Sequence, residues 1–306
     1  MTIFLQATAE GLALGAVYSL VAIGFVLIYK AMDVLSFAQP ALAVVGAGLI
    51  SSFSIDRGIP FWLSLVIGVI FTGILSLLIE RTFLRPMVGE PVFSVAILTI
   101  GIDILLRTIL DNWIGINPRY MGDPFPKFGN FGSISVSGVT LKYLEITAFL
   151  TALVIIFLLS IFFKKSKYGI AMRATSFDQE AALAQGIDVG KIFGLVWFIA
   201  GMLASLAGFF ITGGFNTLTQ FSFISALRAL PAVVIGGLDS IPGAVVGSVI
   251  IGLTQSYVAY FQIDIENILG FSLGSGFSLL APYLIMFLIL LVKPDGLFGT
   301  EEVERV

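Results

Sequence analysis

Residues 11–30 read GLALGAVYSLVAIGFVLIYK, with no charge before Lys30. A helix needs about 20 mostly apolar residues to cross the roughly 30 Å hydrocarbon layer, because lipid offers no water to exposed backbone N–H and C=O groups. This stretch meets that requirement. Working outward, comparable stretches lie at 35–53, 61–79, 92–110, 144–163, 192–212, 244–261 and 277–292. The composition agrees: of 306 residues 58% are hydrophobic and 11% charged, with a mean hydropathy of +1.06. A soluble domain carries about 25% charged residues, so few charges could not cover a soluble exterior of this size. The chain therefore reads as an all-α polytopic membrane protein, a bundle of about 8–9 transmembrane helices forming one domain over residues 1–306.

One apolar piece, residues 226–238, is broken by Pro231 and by Gly236-Gly237 and is short for a crossing. Counted as a span, it makes nine crossings and puts the two termini on opposite sides. Lys and Arg are retained on the cytoplasmic side, and their densest cluster is Lys164, Lys165, Lys167 and Arg173. That assigns loop 164–191 to the cytoplasm, with the N-terminus outside and the C-terminus inside a plasma membrane. No cleavable signal pattern precedes the first span, and Glu10 is read as lying just ahead of it. Residues 111–143 form the largest external loop, with alternating apolar residues around 133–139 that suggest a small hairpin or lid. Residues 262–276, which include Asp264 and Glu266, are read as another external loop.

Histidine and cysteine are absent. This excludes disulfides, thiol nucleophiles, Ser-His-Asp triads, His-ligated metals, and haem held by His or Cys. The phosphate-cradling G-x-x-x-x-G-K-[ST] pattern is also missing, so the chain has no ATP loop of its own. No cofactor and no nucleic acid is expected.

Charge inside a bilayer is costly and marks functional suspects. Asp103 and Arg107, four apart on one helical face, are either a structural ion pair or solute-facing, and Arg228 divides the same way. Helix breaks at membrane depth free backbone groups that commonly line a solute path. Such breaks add Gln39, Pro40, Pro231, Gly236, Gly237 and Asp239 as path candidates, although prolines and glycines also bend helices simply to pack. Apart from these the interior reads as nearly bare of polar side chains. The pairs Gly11/Gly15 and Gly243/Gly247 allow close helix packing, and the same spacing would serve helices that slide during transport.

In the cytoplasmic loop, Ser176 is a candidate N-cap, residues 177–185 are helix-prone, and Gly186 supplies a stop. Such a short helix either rests on the headgroups or docks in a groove on a cytoplasmic partner.

Glu180-Ala181-Ala182 followed by Gly186 resembles the EAA-and-glycine motif in the coupling loop of ABC importer permeases, without its Ile-x-Leu-Pro continuation. A broader likeness covers most of the chain. Residues 11–30, VVIGGLDSIPGAVVGSVIIG at 233–252, KPDGLFG at 293–299, and the loop pattern Gly169, Arg173, Ala174, Ala182, Gly186-Ile187 are together similar to the branched-chain amino acid ABC permease family. Where that family usually shows Phe-Ala-His-Gly, this chain has Phe37-Ala38-Gln39-Pro40, a change that bears on the solute. The resemblance implies a translocation subunit, not an enzyme, with separate ATPase subunits docking at Arg173, Ser176, Phe177, Glu180, Ala181, Ala182 and Gly186. It also implies a second homologous permease chain and an external or periplasmic binding protein that delivers a small solute, branched-chain or related amino acids. The competing class is a secondary transporter or channel for a small solute such as urea, amides or organic acids, working without ATPase subunits.

Overall fold

A computed structural model of the protein describes residues 2–115, 117–122, 124–125, 132–136, 138–213, 217–219, 221–274 and 276–300. The acidic tail 301–306 and parts of loop 111–143 lie outside these residues. The helices are α1 (Thr2–Met32), α2 (Gln39–Ser51), α3 (Phe61–Ile79), α4 (Val92–Ile114), α5 (Tyr143–Lys165), α6 (Lys167–Phe177), α7 (Gln179–Ala184), α8 (Val189–Thr212), α9 (Ser222–Leu227), α10 (Ala229–Gly236), α11 (Ile241–Leu269) and α12 (Phe277–Val292). A π-helical turn, Ser52–Asp56, extends α2, and Glu80–Leu84 with Arg85–Met87 extends α3. The only named strands among the described residues, β1 (Ser133–Val136) and β2 (Val139–Lys142), pair antiparallel as the expected hairpin.

The opening stretch lies at the centre of the bundle. Within α1, 89% of the apolar window is buried, against 11% in α5. Helices α11, α8, α5 and α10 surround α1, and α2 and α3 pack on α8. In lipid, apolar surface gives helices no reason to associate, so close approach has to supply the attraction. The α1–α11 seam shows how: a Cβ at Gly15 would stand 2.9 Å from Val249 Cα, and one at Gly252 would stand 2.4 Å from Gly15 N. Gly243 and Gly247 make the same close contact with α10, against Gly236 and Ala232. Both glycine pairs thus lie at helix crossings. The outer faces of α3, α4, α5 and α12 keep Trp62, Phe93, Phe157 and Leu291 exposed, as lipid contact requires.

Two ends of the bundle can be distinguished. At one, the Gln6 side-chain amide both donates to Thr140 O and accepts from Thr140 N, at 2.8 and 2.7 Å, tying α1 to the hairpin. At the other, Lys30 Nζ donates to Asp239 O at 2.9 Å and Gln179 Nε2 to Ala31 O at 3.3 Å. Leu218 bridges Arg119 at the hairpin end, and the chain then returns through α9 and α10 to Asp239. The broken piece therefore completes an odd number of traverses, and α12 finishes at the end opposite Thr2.

Several boundaries differ from expectation. The second span begins at Gln39, not 35, because residues 33–38 are irregular backbone; Val34, Ser36 and Ala38 there are buried in protein. Among the described residues, six helices are long and apolar enough to cross a membrane by themselves; the α9–α10 segment and α12 are shorter. Glu10 lies inside α1, where it accepts from Gln6 and Tyr260, each at 2.8 Å. Asp264 and Glu266 belong to α11 rather than to a loop, and Gly270 in the left-handed region ends that helix.

Candidate functional site

Loop 164–191 folds as two short helices. Ser166 caps α6 by accepting from Gly169 N at 2.9 Å. Ser176 is not the cap expected of it: it sits within the last turn of α6, where its hydroxyl donates to Arg173 O at 2.9 Å. The cap of α7 is Asp178, which accepts from Ala181 N at 2.9 Å, so this helix spans Gln179–Ala184 and not 177–185. Asp178 wins because its extended backbone, φ −159° and ψ 110°, interrupts the helix between Phe177 and Gln179. Gly186 has φ +82°, and Ile187 N donates to Ala182 O at 3.0 Å, closing the helix with the left-handed residue that glycine tolerates best.

Six residues cannot hold a helix in isolation. Here Ala182 is the buried anchor, and Gln179 bonds to α1. Everything else turns outward: Glu180, Ala181 and Gly186 are exposed, Leu183 is 58% exposed and Phe177 93%. The Arg173 guanidinium donates to Phe163 O and braces α6 against α5. At the end of the loop, Lys191 holds the exposed Asp188 carboxyl below its usual range through a side-chain bond and its backbone N–H.

An ion pair missed in the sequence supports this end. Glu80 is fully buried, and Arg85 donates to both its oxygens, at 3.0 and 2.9 Å, and to Gly190 O at 2.6 Å. The latch joins the end of α3 to the start of α8. Its signal was present, a carboxylate inside an apolar run five residues before an arginine, but the helix end offered a solvated alternative.

The path candidates do not form one site. Gln39 is buried with Pro40 at the start of α2. Its amide lies against Gly24, where a Cβ would stand 3.3 Å from Gln39 Oε1, and neither amide atom has a partner among the described residues. Asp103 and Arg107 do pair, with Arg107 Nε donating to Asp103 Oδ2 at 3.0 Å. The guanidinium also covers the Phe223 ring of α9 at 4.0 Å, while Asp103 Oδ1 is buried without a partner among the described residues.

Pro231, Gly236, Gly237 and Asp239 lie on α10 and the turn that follows it. Gly237 has φ +102° and packs on the backbone of Gly299, while Leu297 N and Phe298 N donate to Ile235 O and Gly236 O at 2.7 and 3.0 Å. Asp239 Oδ2 accepts from Thr300 Oγ1 at 2.5 Å. Chain packing thus occupies these freed backbone groups.

Arg228, between α9 and α10, is different. It borders a cavity of about 610 Å3 together with Tyr18, Gln255, Ser222, Ser225 and Thr219. The interior is therefore not as bare as its composition suggested. Tyr18 and Gln255 carried no signal in the sequence, since a single Tyr or Gln in an apolar run looks like a packing residue.

A family description, branched-chain amino acid transport system / permease component, matches residues 7–292. The chain belongs to this permease family. It is 27% identical to the high-affinity branched-chain amino acid transport system permease protein BraD of Pseudomonas aeruginosa, with 99% of this chain and 98% of that protein covered. Identity is also 27% to the corresponding LivH protein of Escherichia coli, over 99% and 98%. It is 29% to a probable LivH of Methanocaldococcus jannaschii, over 92% and 88%. The permease is thus a multi-pass membrane transport component, as its apolar helices require.

Proposed function

We propose that this permease is the membrane-spanning subunit of an ATP-driven importer of branched-chain or related amino acids. The observation that carries the reading is α7: a short, firmly capped helix whose Leu183, with Phe177 just before its cap, stands in solvent beside Glu180-Ala181-Ala182 and Gly186. Exposed apolar side chains on a rigid helix suit a groove on a partner, here an ATPase subunit. A second permease chain completes the path, and an external binding protein delivers the solute. Lys30, Arg85, Lys164, Lys165 and Arg173 gather at the α7 end, which supports a cytoplasmic α7 with α12 ending on that side and Thr2 outside. ATP binding then moves paired α7 helices together and rocks the packed bundle between discrete arrangements.

Co-purification on the tagged chain tests this: ATPase subunits should come with it, and the assembly should drive leucine uptake with ATP. Glu180→Arg and Gly186→Trp should abolish that uptake while membrane insertion persists. Wild-type coupling in both variants would refute docking through α7. Uptake by the chain alone would sink the importer reading altogether.

A further inference from the structure

We propose that the cavity at Arg228 is a midplane binding site for the carboxylate of the solute, with Tyr18 and Gln255 as its companion groups. The inference rests on the importer reading and names the chemistry of its path.

Depth comes first. Tyr18 lies sixteen residues after Thr2 and fourteen before Met32, and Gln255 lies fourteen residues from either end of α11. At 1.5 Å per residue, both are about 21–24 Å along the axis from the helix ends, near the middle of the bilayer. Arg228 reaches the same level because the chain breaks there: it ends α9 and begins α10, and its guanidinium faces the Tyr18 hydroxyl. A fixed cation at this depth is expensive and is normally paired. Among the described residues, no carboxylate forms an ion pair with Arg228, and none lines its cavity. Asp103 is committed to Arg107, and Glu10 and Glu145 line an adjoining cavity that shares Leu14, Val17, Phe210 and Gln255 with this one but does not reach Arg228.

The groups around Arg228 are arranged as donors. Tyr18 Oη donates to Gln255 Oε1 at 2.8 Å, which fixes the amide and leaves its N–H2 for the cavity. Guanidinium and amide N–H2 together offer what a carboxylate accepts, and a guanidinium fork suits a two-oxygen anion better than a point charge does. The lining also includes the apolar Leu14, Val17, Phe210 and Ile224, which suit an aliphatic side chain. The volume falls within the range of about 300–1,000 Å3 usual for small-molecule sites. Nothing in the lining is anionic, so an ammonium group finds only hydroxyls and carbonyls. The cavity therefore recognises the acid end of an amino acid. That disfavours urea, amides and neutral sugars as cargo.

The absence of cysteine from the chain makes the test direct. Ser225→Cys places one thiol at the cavity, and its maleimide labelling is followed in the complex purified with its ATPase and permease partners. Millimolar leucine and 4-methylpentanoate, which keeps the carboxylate but lacks the amine, should both slow labelling; leucinamide, which keeps the amine but lacks the acid, should not. Adding Arg228→Gln should remove the protection. It should also reduce leucine uptake, at equal membrane abundance, by roughly tenfold to a hundredfold, the loss of one hydrogen-bonded charge; Arg228→Lys should recover part of it. The site is overturned if leucine gives no protection in the wild-type background, if leucinamide protects as well as leucine, or if protection survives Arg228→Gln. Wild-type complex that takes up no leucine overturns the importer reading itself. Uptake that is normal in both wild type and Arg228→Gln overturns the carboxylate site alone.

Discussion

Helix α7 and the α9–α10 pair are both too short to stand alone, yet they sit in opposite surroundings. In α7 one residue, Ala182, is buried and the apolar Phe177 and Leu183 beside and within it face solvent. In α10 six of eight residues are buried, and the helix rests on Gly243 and Gly247 at backbone contact distance. The difference teaches what an interruption is for. Where capping and a single anchor hold a short helix at the bundle's edge, its side chains are free for another molecule. Where close packing holds it inside, the break itself is the product, because it delivers Arg228 to mid-depth.

The largest effect should come from attacking the buried member of the pair. Gly247→Leu forces a side chain into Ala232 O, 2.1 Å from the new Cβ, and backbone cannot yield as a side chain end would. We expect a loss of about 3 kcal/mol or more, seen as aggregation in detergent chromatography. If the variant elutes and melts normally, α10 is not held by this seam. Next comes the latch that positions α8 behind α7. Arg85→Ala leaves Glu80 buried and uncompensated and should cost roughly 3 kcal/mol, with partial recovery in the Glu80→Gln, Arg85→Ala double variant. Thermal melts of the four proteins would show whether the two residues couple; strict additivity would dissolve the latch.

Smaller changes sharpen the exposed member. Asp178→Ala removes the cap of α7 and should cost about 1 kcal/mol, visible as faster amide exchange over 179–184 with little change in the global melt. Phe177→Ser should shift stability by no more than about 0.5 kcal/mol, since the ring is 93% exposed, yet reduce ATP-driven uptake severalfold. A parallel drop in stability would mean that the ring packs on its own chain and not on a partner.

The legible and illegible parts of the molecule divide along physical lines. Long apolar runs announced α1, α3, α4, α5, α8, α11 and α12, because the bilayer imposes a length that few other structures need. The broken piece and the hairpin were legible too, from Pro231, Gly236-Gly237 and the alternation after residue 132. Ser176 misled because Ser and Asp are near-equal caps, and only the backbone at Asp178 decides between them. Of the path candidates, Arg228 lines the large cavity, Asp103 and Arg107 pair with the guanidinium over Phe223, Gly236 packs on Gly243, and Gly237 is closed in by Phe298 and Gly299. Spacing along the chain cannot reveal such long-range meetings. Tyr18 and Gln255 are 237 positions apart and join only when α1 and α11 do.

The bonds from Leu297 and Phe298 to the end of α10 also set an order of events during biosynthesis. The carbonyls of Ile235 and Gly236 leave the ribosome sixty-two residues before the amides that satisfy them. Until α11 and α12 have been threaded and the chain has come back to this end, the last turn of α10 must borrow water or a chaperone. A chain that ended after α12 would keep every apolar helix and leave the turn after α10 still open, a state that membrane quality control could read as unfinished.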